Sequence, residues 1–262
     1  MSHNWIPVVT LLCVGCSDAI DKSNDSIVVP SEIIDLGALV TEQTPEEFWG
    51  KGFMNEMDFT ESNKFDVLAR TFGPLNVSNS YYTLFNHGGP HVDAPNHVGL
   101  GGGLDTYPVE SFAGPLKVFD FSHLPIGRSI TKEMLIDLPI DSGDIVLIYT
   151  EYSPPSAEGA WPEAIALNYD AANFLAALPV RAFGTDAYNV ESMTDQSPVP
   201  SDNEVARIIP GHHAFLSKGI PVFEQLVNVD KLVGKEAMYF VGAPLNIKDG
   251  DGMMVRPLVL VY

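Results

Sequence analysis

Short apolar runs of strand length recur along the chain: Ile33 to Leu39, Leu116 to Phe121, Ile145 to Tyr149, Val180 to Phe183, Ile220 to Phe223, Ala237 to Val241 and Pro257 to Val261. They are rich in valine, isoleucine and aromatic residues and are bounded by Gly, Pro or Asp, the pattern of buried or half-buried strands. Helical spacing is rarer. Thr131 to Leu138 opens on a capping threonine, and Tyr169 to Leu178 is rich in Ala and Leu and stops at Pro179. His212 to Ser217 follows Pro210-Gly211 and reads as a short helix feeding the strand at Ile220. Strands outnumber helices without a regular alternation. The pattern therefore predicts an α+β protein, one domain with a mixed or barrel-like β-sheet core flanked by helices. After Ile27 there is no internal repeat, low-complexity linker or second shift in composition, so the domain is expected to occupy 27–262 of the 262 residues.

The stretch before that domain is different. Ile6 to Val14 is an apolar run followed by Gly15-Cys16-Ser17 and a polar segment from Asp18 to Ser26. The run is too short for a bilayer span, which needs ~20 apolar residues, and has the size of the apolar part of a secretory signal. Leu12-Cys13-Val14-Gly15-Cys16 resembles a bacterial lipoprotein box. It departs from that pattern in having no Lys or Arg before the apolar run and Cys13 where leucine is usual. The expectation is a signal over 1–16, lipidation at Cys16, a tether over 17–26, and an exported bacterial protein, periplasmic or membrane-anchored. The competing reading is a buried or unstructured N-terminal segment. Both cysteines fall here. The mature domain then has no internal disulfide and no thiolate ligands, which leaves His, Asp and Glu for any metal. With 34 acidic and 14 basic residues the formal charge is −20. Phosphate backbones would be repelled, so nucleic acid is excluded as a partner.

The densest chemistry lies in Asn86-His87-Gly88-Gly89-Pro90-His91-Val92-Asp93-Ala94-Pro95-Asn96-His97. Three of the seven histidines and one aspartate fall within eleven residues. Imidazole nitrogen and carboxylate oxygen together suit a borderline divalent ion such as zinc or manganese. His87, His91, Asp93 and His97 all occupy odd positions, and an extended strand would turn all four to one face. Full extension would separate the Cα atoms of His87 and His91 by ~13 Å, so a bend at Gly88-Gly89 is expected to bring them together. Three protein ligands with an open position is the pattern of a catalytic metal rather than a closed structural one. The alternative is a histidine-rich surface loop without a metal. Gly99 to Gly103 is too irregular for a phosphate-binding loop and reads as a flexible turn beside the site.

These residues resemble a known signature. His87-x-Gly89-x-His91-x-Asp93-x-Pro95-x-His97 is similar to the His-x-Gly-Thr-His-x-Asp-x-Pro-x-His motif of the metal-dependent cyclase superfamily, which includes bacterial kynurenine formamidases and isatin hydrolases. Ile33-Ile34-Asp35-Leu36, Gly184-Thr185-Asp186, His212 to Glu224, Ala243-Pro244-Leu245 and Gly252 to Pro257 resemble further segments of that family, so the likeness runs from about Ile33 to the C-terminus. It implies a cyclase-like swivelling β/β/α fold. It also implies that His87, His91 and Asp93 bind one metal, and that Asp93 bridges to a second held by His212 and Glu224 in two-metal members. One or two zinc or manganese ions per chain are therefore expected. His97 would be the proton shuttle. The spacing of twelve residues to Glu224 selects His212 over His213. Pro90 stands where the family has threonine, removing a hydroxyl and a backbone donor beside the site.

The activity so implied is hydrolysis of a carbon–nitrogen amide bond by metal-activated water, most like an arylformamidase acting on N-formylkynurenine-type substrates. A cyclic amide or ester hydrolase of isatin type and a non-catalytic exported metal-binding module are the alternatives. The expected partner is a small aromatic amide, and the resemblance implies a homo-oligomer. Tyr81, Tyr82, Phe85, Trp161 and Tyr188 are candidate aromatic walls, with Tyr82, Phe85 and Trp161 placed foremost as substrate contacts.

Overall fold

The computed structural model describes residues 28–56, 63–72, 75–154, 163–192 and 199–262. Cys16 and the expected signal and tether lie outside these residues, as does Trp161. The described chain folds as α+β around one curled, mixed sheet. Its strands are β1 (Glu32–Asp35), β4 (His91–Asp93), β5 (Ala113–Asp120), β7 (Ile145–Tyr149), β9 (Ala182–Thr185), β10 (Val222–Glu224), β11 (Met238–Val241), β12 (Gly252–Met254) and β13 (Leu258–Val261). Their order is β1-β13-β11-β5-β7-β9-β10-β4-β12. The run β5-β7-β9-β10 is parallel, while the strands on either side of it pair antiparallel. A two-stranded ribbon, β2 (Lys64–Phe72) with β3 (Leu75–Thr83), and a short pair, β6 (Ser129–Ile130) with β8 (Ala166–Leu167), complete the strands.

Burial follows from position in this sheet. Parallel strands are covered on both faces, and β7 is accordingly buried at four consecutive residues. Val146 and Ile148 pack on one side with Leu175, Phe183 and Phe215, beneath α4 (Tyr169–Ala177) and α6 (Pro210–Leu216). Ile145 and Leu147 face the other side with Ile34, Val92, Phe223, Phe240 and Val259. That second cluster gathers residues from β1 at one edge and from β4 near the other, as a curled sheet allows. Val92 is fully buried in it, so His91 and Asp93, one residue to either side, turn to the opposite face, where α6 lies.

The predicted strands are all present, most with shifted ends. The first stops at Asp35, because Asp35 accepts from the Gly37 backbone and turns the chain. The helix predicted over 131–138 contracts to α3 (Lys132–Leu135), with Thr131 at its N-cap. Two elements beside the site were not anticipated: α1 (Thr44–Trp49) and α2 (Lys51–Glu56). Pro45 in its first turn, Glu46 and Glu47 at its positive end, and Gly50 at a positive φ of 81° after it delimit α1.

Candidate metal centre

Only His91–Asp93 of the histidine motif is strand, which corrects the expectation that one extended segment aims all four side chains. His87 arrives from a turn, and His97 sits in a 3-10 turn over Pro95–Val98. The bend expected at Gly88-Gly89 is there. Gly89 has φ +153°, and a Cβ would come within 3.0 Å of Met254 and Thr44 side-chain carbons, so α1 can lie close only over glycine. Pro90 has no N–H, but its carbonyl accepts from Val255 at 2.8 Å and keeps β4 joined to the chain leaving β12. The turn at Gly99 to Gly103 is docked at its far end, where Gly103 packs on the backbone of Asp249 and Gly250 and Leu104 N–H donates to the Gly250 carbonyl at 2.9 Å, while Gly99 and Gly101 face open space.

Distant segments complete the cluster. On β10, Glu224 lies directly across the ladder from His91. On α6, stacked against the sheet through Phe215 on Phe183 with centroids 4.6 Å apart, His212 is buried whereas His213 is only half-buried. His87 Nδ1 approaches Asp93 Oδ1 at 2.9 Å, and His91 Nε2 approaches the same oxygen at 3.3 Å. His212 Nε2 lies 3.5 Å from Asp93 Oδ2 and 3.4 Å from Glu224 Oε1. Glu224 Oε2 is 3.5 Å from His91 Nε2. Asp93 thus offers one oxygen to His87 and His91 and the other to His212.

A metal fits this set. Bonds of ~2.0–2.1 Å at tetrahedral angles place ligand atoms about 3.3 Å apart, close to the separations above. His87 Nδ1, both Asp93 oxygens, His212 Nε2 and Glu224 Oε1 are buried without a hydrogen-bond partner among the described residues. Such orphaned groups are costly to bury, and an ion supplies what they lack. Each histidine also has its other nitrogen engaged: His87 Nε2 on Asp251 at 3.0 Å, His91 Nδ1 on the Gly89 carbonyl at 2.7 Å, and His212 Nδ1 on Glu191 at 3.0 Å. The remaining nitrogen of every ring therefore points inward.

The carboxylates also favour protonation of the histidines they face. Burial works to lower the pKa of His91, but Asp93 and Glu224 outweigh it and push the value up to about 10. His212 is raised in the same way by Glu191, Glu224 and Asp93 against its burial. Asp93, despite full burial, is held well below the usual carboxylate range by the surrounding histidines. His97 behaves oppositely. The residue is exposed at the surface, but desolvation against the cluster, with the charges of the neighbouring histidines, pushes its pKa down to about 4, so the ring is neutral at pH 7. It lies on His87 with centroids 4.2 Å apart and 5.4 Å from the His212 ring.

Aromatic side chains stand around the centre. Phe85 meets His87 edge-on at 6.2 Å. Trp49, from the unanticipated α1, donates its indole N–H to the His87 carbonyl at 2.8 Å and meets the Tyr188 ring at 5.6 Å. Tyr81 and Tyr82, by contrast, are exposed on the ribbon, where the Tyr82 ring packs on Phe65. Asp251, Glu191 and Trp49 were not singled out from the sequence. Only the Thr44-Pro45-Glu46-Glu47 helix start gave a local hint of the last.

A curled mixed sheet with a buried histidine–carboxylate centre, open on one side, is the framework of a metal-dependent enzyme. The model of the Cyclase family, described as "Putative cyclase", matches residues 23–192, and the chain belongs to this family. It is 34% identical over 178 residues to a kynurenine formamidase of Salinibacter ruber, covering 67% of this chain and 76% of that protein. Among solved structures it is similar to isatin hydrolase A from Labrenzia aggregata, with a TM-score of 0.69 at 23% identity over 88% of this chain and 93% of that one. It is also similar to a "potential metal-dependent hydrolase with cyclase activity", with a TM-score of 0.62 at 25% identity over 88% and 98% of the two chains.

Proposed function

We propose that the protein is a metal-dependent amide hydrolase of arylformamidase type, cleaving the formyl carbon–nitrogen bond of an N-formylkynurenine-like aromatic amide. The observation that carries this reading is the convergence of five buried side chains of ligand type, four of them with inward atoms that have no hydrogen-bond partner among the described residues, beside one neutral histidine on the open side. The likeness to the Salinibacter kynurenine formamidase supports the substrate class. His87, His91 and Asp93 would hold one divalent ion, and Asp93, His212 and Glu224 a second, of zinc or manganese. When bound, such an ion lowers the pKa of water and polarises a carbonyl.

The chain's own residues do the rest. An imidazole nitrogen of neutral His97 takes a proton from the attacking water and returns it to the leaving nitrogen as the amide opens. Its low proton affinity keeps it in the accepting form at neutral pH. Trp49, Tyr188 and Phe85 supply flat apolar surface for the aryl group. The test is turnover of N-formylkynurenine, a simple formanilide and isatin by metal-loaded and chelator-stripped protein. Hydrolysis of the formyl amides that vanishes on stripping and returns with zinc or manganese is the expected result. Efficient cleavage of isatin without the formyl amides would replace this reading by the cyclic-amide one. Tight metal binding without turnover of any of them would favour a metal-binding module. The Leu12 to Cys16 pattern supports export with a lipid anchor at Cys16, tested by fractionation and lipid labelling of Cys16→Ser.

A further inference from the structure

We propose that Glu191 and Asp251 are positioning residues of the centre, and that they divide it into a permanent His212 half and an exchangeable His87 half. The inference rests on the two-ion reading above. A ring nitrogen that donates to a carboxylate leaves its partner nitrogen as a lone-pair donor with a fixed direction, which raises metal affinity. Both carboxylates do this, from very different surroundings.

Glu191 is buried, and it spends both oxygens on His212. One oxygen faces ring Nδ1 at 3.0 Å, while the other accepts the His212 backbone N–H at 3.0 Å. Gly211 makes this possible, since a Cβ there would sit 2.7 Å from Glu191 Oε2. Helix, ring and carboxylate are one unit inside the core. Asp251 lies on the segment between β11 and β12 and is half-exposed, with 49% of its side-chain surface accessible. One oxygen holds His87 Nε2 at 3.0 Å, and the other accepts from the Asn86 amide at 2.9 Å. His97, also exposed, borders both rings, 4.2 Å from His87 and 5.4 Å from His212 between centroids, so the difference between the halves lies in their outer carboxylates. Solvent and a competing chelator therefore reach the outer carboxylate of the His87 half directly, whereas the outer carboxylate of the His212 half is buried. Water entering at Asp251 would loosen the support of His87 without disturbing Glu191.

The experiment loads the full chain with Zn2+, counts the bound ions, and follows their release to excess chromophoric chelator. Two ions leaving in a fast and a slow phase are expected. Asp251→Asn keeps the shape but not the charged acceptor, and it should speed the fast phase and weaken that ion's Kd tenfold or more while leaving the slow phase unchanged. Glu191→Gln should speed the slow phase. Asp251, at the surface, can be replaced without loss of folding, which circular dichroism checks, so the test survives even if Glu191→Gln fails to fold. Wild-type release rates in Asp251→Asn, or acceleration of the slow phase by it, would overturn the division while two bound ions leave the two-ion reading intact. One ion per chain would overturn that reading itself.

Discussion

Gly252→Ala tests whether His87 must stand where the structure puts it. Gly252 pairs with Asp93 across the β12–β4 ladder, and a Cβ added there would lie 2.5 Å from His87 Cε1 and 3.0 Å from the Val92 carbonyl oxygen. The carbonyl belongs to a strand held on both sides by β10 and β12, so the imidazole is the group able to yield. Restoring ordinary contact requires the ring to move by nearly 1 Å. In metal-free protein that movement costs His87 chiefly its alignment with Asp251. With an ion bound, the ring must return, and the overpacking strain of about 1–3 kcal/mol appears in the binding constant. That predicts a rise in the zinc Kd of roughly 5- to 150-fold. The assay is zinc competition against a chromophoric chelator, with the Tm of the metal-free variant as the control for folding. A Gly252→Ala protein that folds and binds zinc with wild-type affinity would show that His87 is not a ligand in this position.

Other outcomes follow from the same geometry. His97→Ala should lower kcat by about 10²–10⁴, the range for loss of a general acid–base, with metal content unchanged; loss of metal instead would make His97 a ligand. Zinc binding should release protons, because His91, with a pKa of about 10, and His212, also raised, are protonated in the metal-free centre near neutral pH. Calorimetry in buffers of different ionisation enthalpy measures this, and a buffer-independent heat would refute it. The stability that His91 lends the metal-free protein is complete below its ordinary value of 6.5 and is lost as pH rises towards 10, so the Tm of chelated protein should fall across that window. Phe215→Ala removes the ring stacked on Phe183 beneath α6 and should cost about 3–5 kcal/mol in denaturant unfolding, weakening zinc binding as His212 loosens.

The legibility of the fold depended on what each residue answers to. β7 could be read directly, since four successive buried positions leave an uninterrupted apolar run. His91 and Asp93 were legible as a pair because a strand alternates faces whatever surrounds it. His87 and His97 shared their parity, but they reach the centre by a glycine bend and a 3-10 turn, so the period of two was right for one pair and accidental for the rest. His212 and Glu224 have no local signal at all, because helix α6 and strand β10 meet β4 only through the tertiary fold. They were found by resemblance to the family. Asp251 and Glu191 carry even less: an aspartate in a glycine-rich loop and a glutamate after a valine look like surface residues until the ring nitrogen opposite each is placed.

The threonine-to-proline change at position 90 shows where specificity is to be sought. From the sequence it threatened a hydrogen bond next to the ligands. In the structure the Pro90 carbonyl still ties β4 to Val255, and His91 takes its own support from the Gly89 carbonyl. The centre therefore stands without the missing hydroxyl, and discrimination among amides falls to whatever meets the acyl and aryl groups. The candidates are Trp49 on α1, Phe85 at the foot of the ribbon and Tyr188 beside the Gly184-Thr185-Asp186 segment. These come from three separate parts of the chain, and only Phe85 is near the histidine motif. The candidate ligands are densest in the short stretch from His87 to Asp93 and are completed by His212 and Glu224. Side chains that the fold assembles from afar are therefore where substrate choice is to be sought, because a set of metal ligands by itself selects no aryl group.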